Sequence, residues 1–587
     1  MISIQHIFIL GFLALPVLLT AFFMRREDAT VYAIFGLVTV HLISALLCQS
    51  FGVFSLETAI LTQATYTVFV GSLAWFRRVQ NRVPFSWTWA YVLLVAFACM
   101  YTVHYWYSGD MMQHGGGGYI SVSHATLVHP YFPDEWYSIA HARQAIESGT
   151  LPITNPFQKH DATFSNLQFG FHALVAEFLI LFGDAQVESY VWFTIFQTSL
   201  IALLVSVIVT NFGAPNIVAA LAGVTILYIP SVANLPGLWT LIPFTSGILI
   251  FLFGVYGMVR KIRWLVWGNL VALVFVYPPL VLWYILGAAV FEWSVFQQKD
   301  RENKKIFLEY AASLMVAAVL LLVTGYGLEF LSTGLQRLAF TSFLGSVQPI
   351  FSPIGVVPWW ALVFVPVGVL VALRGRELYL LTLSITGLVL WLWYSMSDTR
   401  FIIGYERVVI ITSIMLIILG ALGAGHLINN VKRSQFDNKV FFAMVLGAVL
   451  FVLMIPQYTN VHDWRRFVAV NEQAGVLLVP EAPANDYYDS SIISIAKSME
   501  GDFFLASPWQ STIVASLTKH QPLVLQPGTH VLDRQLYDIF MGADCPTKED
   551  LLRKSSIRFV VSPYPIDCQQ FDLRGRAAKG GYVYKGQ

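Results

Sequence analysis

The sequence predicts a polytopic α-helical membrane protein with a C-terminal extracytoplasmic α/β domain, and three observations lead there. Of 587 residues, 57% are hydrophobic and only 12% charged, with a mean hydropathy of +0.65; a soluble domain carries about 25% charged residues. Apolar runs close to the roughly 20 residues that a bilayer core requires recur along most of the chain. From about residue 457 shorter helix-like and strand-like stretches alternate instead. The net charge of +1 gives no reason to expect nucleic acid or a polybasic membrane patch.

The first apolar segments lie near 5–24, 31–49, 57–76 and 87–107. No small-residue cleavage site precedes the MRRED flank, so the first reads as a retained helix. Arg25, Arg26, Arg77, Arg78 and Arg82 mark cytoplasmic turns, which puts the N-terminus and the loop 108–165 on the outer side. Segments near 166–182, 188–210, 215–229, 240–258, 264–277 and 279–296 follow, several of them short. The clusters Met258 to Arg263 and Lys299 to Lys305 should both be cytoplasmic. Reaching the first from an outer loop takes an odd number of crossings, yet four segments precede it, so one of them does not span. Pro278 and Pro279 would break a long helix, which predicts a hairpin of two short ones. The last spans lie near 305–323, 356–373, 377–395, 408–428 and 439–456, with Arg374, Arg376, Lys432, Arg433 and Lys439 at their cytoplasmic ends. This gives about fourteen transmembrane helices. The organisation expected is N-terminal helices over 1–107, an outer loop over 108–165, a transmembrane core over 166–456 with an outer loop 324–355, and the α/β domain over 457–587.

Cys48 and Cys99 fall in apolar segments and read as small buried hydrophobes. Cys545 and Cys568 both lie in the tail, where an oxidising compartment would permit a disulfide if the fold brings them together.

The loop 108–165 holds HPYFPDEWYSIAHARQAIESGTLPITNPF, His129 to Phe157, an acidic and aromatic stretch in a chain that elsewhere avoids charge. A helix is expected from Glu135 to Ser148, entered through Pro133 and Asp134 and left at Gly149. Asp134, Ser138 and His141 then fall near one face, while the adjacent Asp134 and Glu135 cannot share a direction. On spacing alone, an N-cap role for Asp134 is favoured over catalysis. Seven histidines lie between His104 and His172, but no HxxxH or HxH pair does, so hydrogen bonding is favoured over metal ligation. The run Gly115 to Gly118 lacks a following Lys-Ser/Thr and reads as a flexible hinge, not a phosphate cradle.

A second charged group occupies the same expected side. SDTRFIIGYERVVI places Asp398, Arg400, Glu406 and Arg407 at the outer ends of two late helices, with Arg337 in the preceding outer loop. Two readings stand level here: local ion pairs with snorkelling, or an anion site in which a guanidinium fork grips phosphate.

DEWYSIAHARQAIESGTLPITNPF, followed after a gap by FGFHALVAEFLILFG, resembles the first outer loop and next helix of the GT-C membrane glycosyltransferases, most of all the group with protein O-mannosyltransferases and lipid A aminoarabinose transferases. The resemblance is densest from Pro133 to Gly183. It implies that Asp134 is the catalytic base, or a metal-site residue as in metal-dependent relatives, with Glu135 its partner and Asp161 a second loop acid. The proline-rich flank of that second acid is missing here. It further implies that Arg407, with Arg400 behind it, holds a lipid phosphate, and that Lys159 serves similarly from the loop; Arg337, His141 and Tyr405 complete the candidate substrate-binding residues. A divalent cation, magnesium or manganese, is allowed by the resemblance and not required by it.

The implied reaction moves a sugar from a polyprenyl-phosphate carrier to the hydroxyl or amide of an unidentified glycan, lipid or protein acceptor, with inversion at the anomeric carbon. No Walker or Rossmann fingerprint occurs in the chain. The alternatives are a transporter or flippase of lipid-linked saccharide and a non-catalytic binder of it. A transporter predicts ionisable residues within the spans, where Glu177 and Glu309 are the near-exceptions.

Overall fold

The computed structural model of the protein describes residues 4–24, 27–77, 87–106, 109–115, 118–125, 128–130, 133–157, 166–182, 187–229, 238, 240–296, 315, 319, 352–396, 403–430, 478–482, 488–524, 535–562, 564–576 and 581–586. Within them, helices α1 (Ile4–Met24), α2 (Glu27–Phe51), α3 (Leu56–Arg77) and α4 (Trp87–Trp106) precede the loop helix α5 (Pro133–Ser148). Then come α6 (Phe169–Leu181), α7 (Val187–Asn211), α8 (Asn216–Thr225), α9 (Pro243–Val259), α10 (Arg263–Val276) and α11 (Pro279–Phe296). Later helices are α12 (Trp359–Gly375), α13 (Leu378–Met396) and α14 (Tyr405–Asn430). Among the described residues six helices are long and apolar enough to cross a membrane, and seven shorter ones are apolar. The protein is an integral membrane protein. The spans expected near 305–323 and 439–456 lie outside the described residues.

Contacts at the helix ends sort the bundle into two faces. On one, Asn429 of α14 donates to the Gly213 carbonyl between α7 and α8 at 2.7 Å, and Tyr32 of α2 meets Trp264 beside the Arg260 to Arg263 turn, ring centroids 5.9 Å apart. On the other face α5 meets the ends of α2, α7 and α14. The segment that does not cross is α6. It begins on the α5 face, where Gly170 packs so closely on Phe275 that a Cβ would come within 2.9 Å of it. The chain is back on that face at Tyr190, whose hydroxyl donates to Glu135. Three crossings, α7, α8 and α9, then lead to Arg260, and the parity closes. The hairpin at Pro278 and Pro279 forms as expected, and Tyr277 joins its two helices, its N–H donating to the Leu273 carbonyl at 2.9 Å and its carbonyl accepting from Leu280 at 3.2 Å.

Helices α12 and α14 approach through small residues: a Cβ on Gly420 or Gly423 would strike the carbonyls of Ala361 or Phe364. Such backbone contact locks one helix on another where lipid offers no hydrophobic drive, and it holds the helix that starts next to Arg407.

Two sheets complete the fold. Strands β1 (Gly109–Gly115) and β2 (Gly118–Ala125) pair as an antiparallel hairpin, and β2 pairs in parallel with β3 (Leu478–Ala482), so loop and tail share one sheet. The glycines expected to form a hinge instead flank a hairpin turn, Gly115 opposite Gly118. The tail continues through α15 (Ser490–Ser498), β4 (Phe503–Ala506), α16 (Pro508–Leu517), β5 (Gln521–Pro522), α17 (Gln535–Gly542), α18 (Cys545–Lys554), β6 (Ile557–Ser562), β7 (Phe571–Arg576) and β8 (Tyr582–Gly586). Its sheet runs β5-β4-β6-β8-β7, parallel over the first three strands and antiparallel thereafter. Cys545 and Cys568 are disulfide-bonded, with Cα atoms 5.7 Å apart, while Cys48 and Cys99 are free and buried.

Candidate active site

Helix α5 begins at Pro133, two residues earlier than the sequence suggested. Proline is suited to the first helical position, where its missing N–H costs nothing. Asp134 is therefore inside the first turn and not the N-cap, which overturns the bland reading of that residue. Its backbone carbonyl accepts from Ser138 Oγ at 2.7 Å, and its half-exposed carboxylate reaches out to Arg407, Oδ2 to Nη2 3.9 Å.

Glu135 turns the opposite way, as adjacent helical residues must. It is 3% exposed, and its Oε1 accepts from the Tyr190 hydroxyl and, at 2.9 Å, from the Leu241 backbone N–H. A buried carboxylate is tolerated only with such partners. Glu135 thereby ties the start of α5 to α7 and to the segment before α9.

Arg407, in the first turn of α14, is held from the side. Its Nη1 donates to the Tyr277 hydroxyl, and its guanidinium lies 5.4 Å from the Tyr277 ring centroid and 5.8 Å from that of Phe244. Cation–π contact and a hydrogen bond together fix the fork while Nη2 faces Asp134. Immediately below, an apolar groove of about 470 Å³ begins at Pro279 and Ile403 and runs along Leu282, Leu286 and Leu390 between α11 and α13.

The loop helix is also clamped from the tail. Ser516 Oγ donates to the Trp136 carbonyl at 2.9 Å, and Arg143 Nη1 donates to the Ser516 carbonyl at 3.2 Å. At its far end Gly149 adopts φ +73°, where a Cβ would lie 2.5 Å from the Gly52 carbonyl oxygen. The expected exit residue is thus required twice over.

His141 does not join the pair. It is fully buried, its ring stacked on His172 at 4.3 Å between centroids, and burial pushes its pKa down to about 3, so it is neutral. Lys159, Asp161, Arg337, Arg400 and Asp398 lie outside the described residues, as does the side chain of Tyr405. The structure brings together Asp134 and Arg407, and adds Tyr190, Leu241, Phe244 and Tyr277, none of which the sequence reading singled out. The one available signal was Tyr277 directly before the proline pair.

The donor set was tested for a cation. Among the described residues no group of three His, Cys, Asp or Glu side chains gathers, and the Glu135 carboxylate is already taken by two donors.

The chain is distantly similar to several solved structures. ArnT from Cupriavidus metallidurans, in its apo state, aligns over 85% of this chain and 96% of its own at 13% identity, with a TM-score of 0.45. An oligosaccharyltransferase from Archaeoglobus fulgidus, in complex with zinc and sulfate, covers 80% of this chain and 67% of its own at 12% identity and a TM-score of 0.45. The Archaeoglobus enzyme AglB with an inhibitory peptide and a dolichol-phosphate covers 81% and 69% at 12% identity, TM-score 0.38. No family model and no curated protein matches the sequence. The likeness is structural, at low identity, and assigns no residue of this chain.

Proposed function

We propose that the protein is an inverting glycosyltransferase that moves a sugar from a polyprenyl-phosphate carrier to an extracytoplasmic acceptor hydroxyl or amide. The observation that carries this reading is the pairing of Asp134 with Arg407 at the head of an apolar groove: an anion grip, a carboxylate and a lipid channel in one place. The arginine face lies opposite the Arg260 to Arg263 turn, and the disulfide in the tail that clamps α5 fits an oxidising compartment; both support an extracytoplasmic site.

In this reading the isoprenoid chain lies along Leu282, Leu286 and Leu390, and its phosphate meets Arg407 Nη2. Phosphate competes with Asp134 for that nitrogen, so donor binding frees the carboxylate to take the proton from the acceptor as it attacks the anomeric carbon. Arg407 then stabilises the charge developing on the departing phosphate, pre-aimed by Tyr277 and Phe244. Glu135 positions Asp134 without touching substrate.

The test is incubation of the purified protein with polyprenyl-phosphate sugars and measurement of released polyprenyl phosphate. Release that survives both Asp134→Asn and Arg407→Ala sinks the assignment. Binding without release for every donor leaves the non-catalytic binder instead.

A further inference from the structure

A second cavity lies inside the helix bundle, between α1, α2, α6, α7 and α9, and encloses about 660 Å³ of empty space. Its walls are leucine, isoleucine and phenylalanine, except on one side, where His41, Glu177, Gln197 and Ser246 meet. Ionisable side chains at this depth are costly and need a reason.

Hydrogen bonds fix the orientation of each polar group. Gln63 Nε2 donates to the Phe12 carbonyl at 2.7 Å, so its Oε1 faces His41 Nε2 at 2.8 Å and accepts from it. His41 Nδ1 is then directed at Glu177 Oε1, 3.3 Å away, and one proton serves both. Ser246 Oγ donates to Gln197 Oε1 at 3.0 Å, which turns the Gln197 amide nitrogen away from it. Both Glu177 carboxyl oxygens and Gln197 Nε2 are buried without a hydrogen-bond partner, in residues 3% and 2% exposed; Oε1 has the His41 contact, which leaves Oε2 and Nε2. One is an acceptor and the other a donor.

A hydroxyl matches both in kind, able to accept from the amide and to donate to the carboxyl. A phosphate or fatty carboxylate would set a second negative group against Glu177 in low dielectric, and a pure hydrocarbon would leave both orphans unpaired. We infer that this cavity binds an uncharged single-chain lipid alcohol, its hydroxyl at Glu177 and Gln197 and its chain against Leu200, Phe178 and Leu249. Val38, Phe193 and Phe196 at the rim are half-buried, which admits a chain sideways from the bilayer. The site shares no residue with the Asp134 and Arg407 pair and stands independently of the proposed function.

The experiment is photolabelling of the full-length protein in lipid nanodiscs with diazirine probes, followed by peptide mapping. Four probes of matched length are compared: a linear alcohol, an isoprenoid alcohol, the isoprenoid phosphate and an alkane. Expected is labelling of the peptides of α6 and α7 by one or both alcohols, at least fivefold above the phosphate and the alkane. The two alcohols tell which chain the cavity takes. Gln197→Leu, of similar volume, should lower alcohol labelling at least fivefold and leave alkane labelling unchanged, and Leu200→Phe should lower both. Asp134→Asn should change neither. Labelling that is equal for alcohol and alkane, or unaltered by Gln197→Leu in a monodisperse protein, overturns the inference, as does preferential labelling by the phosphate.

Discussion

Replacing Asp134 with asparagine should move affinity and turnover in opposite directions. The carboxylate lies 3.9 Å from Arg407 Nη2, with side chains 52% and 28% exposed. Two unit charges at that distance attract by about 1 kcal/mol in water and about 4 at the effective dielectric of a protein surface. Exposed pairs fall at the low end, so the interaction is worth about 1 kcal/mol, and donor phosphate must displace it. Asp134→Asn removes that competition. The Kd for polyprenyl phosphate should tighten about fivefold, the equivalent of about 1 kcal/mol. Loss of a general base should meanwhile lower kcat by about 10²–10⁴. The assay is lipid-phosphate binding by scintillation proximity beside single-turnover release from the sugar-loaded lipid. In an Arg407→Ala background the same substitution should leave affinity unchanged, because the competing cation is gone. Weaker binding in Asp134→Asn, or tightening that persists without Arg407, refutes the reasoning; so does retained turnover.

Other substitutions test the surroundings of the pair. Leu286→Trp should fill the groove and raise the donor KM at least tenfold with kcat little changed, read from initial rates over a donor series. Glu135→Ala removes a carboxyl acceptor from Tyr190 and Leu241, which still bond each other; bonds to charged groups contribute about 1.5–3 kcal/mol, so thermal unfolding should register a loss of about 2–3 kcal/mol and turnover should fall with it. Gly149→Ala should cost more than the roughly 1–2 kcal/mol of a left-handed residue, since the new methyl meets the Gly52 carbonyl, and a lowered Tm would show it. His141 is neutral in the fold with its pKa near 3 and titrates at about 6.5 when unfolded. Unfolding therefore takes up a proton below pH 6.5, so stability falls as pH drops from about 6.5 toward 3, by up to about 1.4 kcal/mol per unit. His141→Gln should flatten that slope in denaturant titrations.

Much of the fold was legible because bilayer crossing imposes length and hydropathy on a helix. The ends of α1, α3, α7 and α11 fall within a few residues of the apolar segments, and the proline pair marked its hairpin. Charge parity required one segment that does not cross, yet could not single out α6, whose thirteen residues are as apolar and buried as any span. What decides it is tertiary: Gly170 against Phe275 and Tyr190 against Glu135. The hairpin of β1 and β2 was hidden because GDMMQHG offers no alternation of apolar and polar side chains. At the site, spacing favoured an N-cap for Asp134, and a shift of the helix start to Pro133 reversed that. Tyr277 and Leu241 were out of reach, since a side chain on a hairpin tip and a backbone amide carry no local pattern.

The sharing of a sheet and a helix interface between loop and tail bears on how the protein matures. Residues 109–148 emerge from the ribosome long before Leu478 and Ser516, so β2 and the outward wall of α5 wait through the synthesis of most membrane helices for their partners. Insertion into the bilayer and completion of the Asp134 site are consequently separate events in time. A chain stopped anywhere short of α16 would hold its helices but leave Trp136 and Arg143 without their clamp. The tail thus completes the packing of the loop helix only after the membrane helices before it have been made.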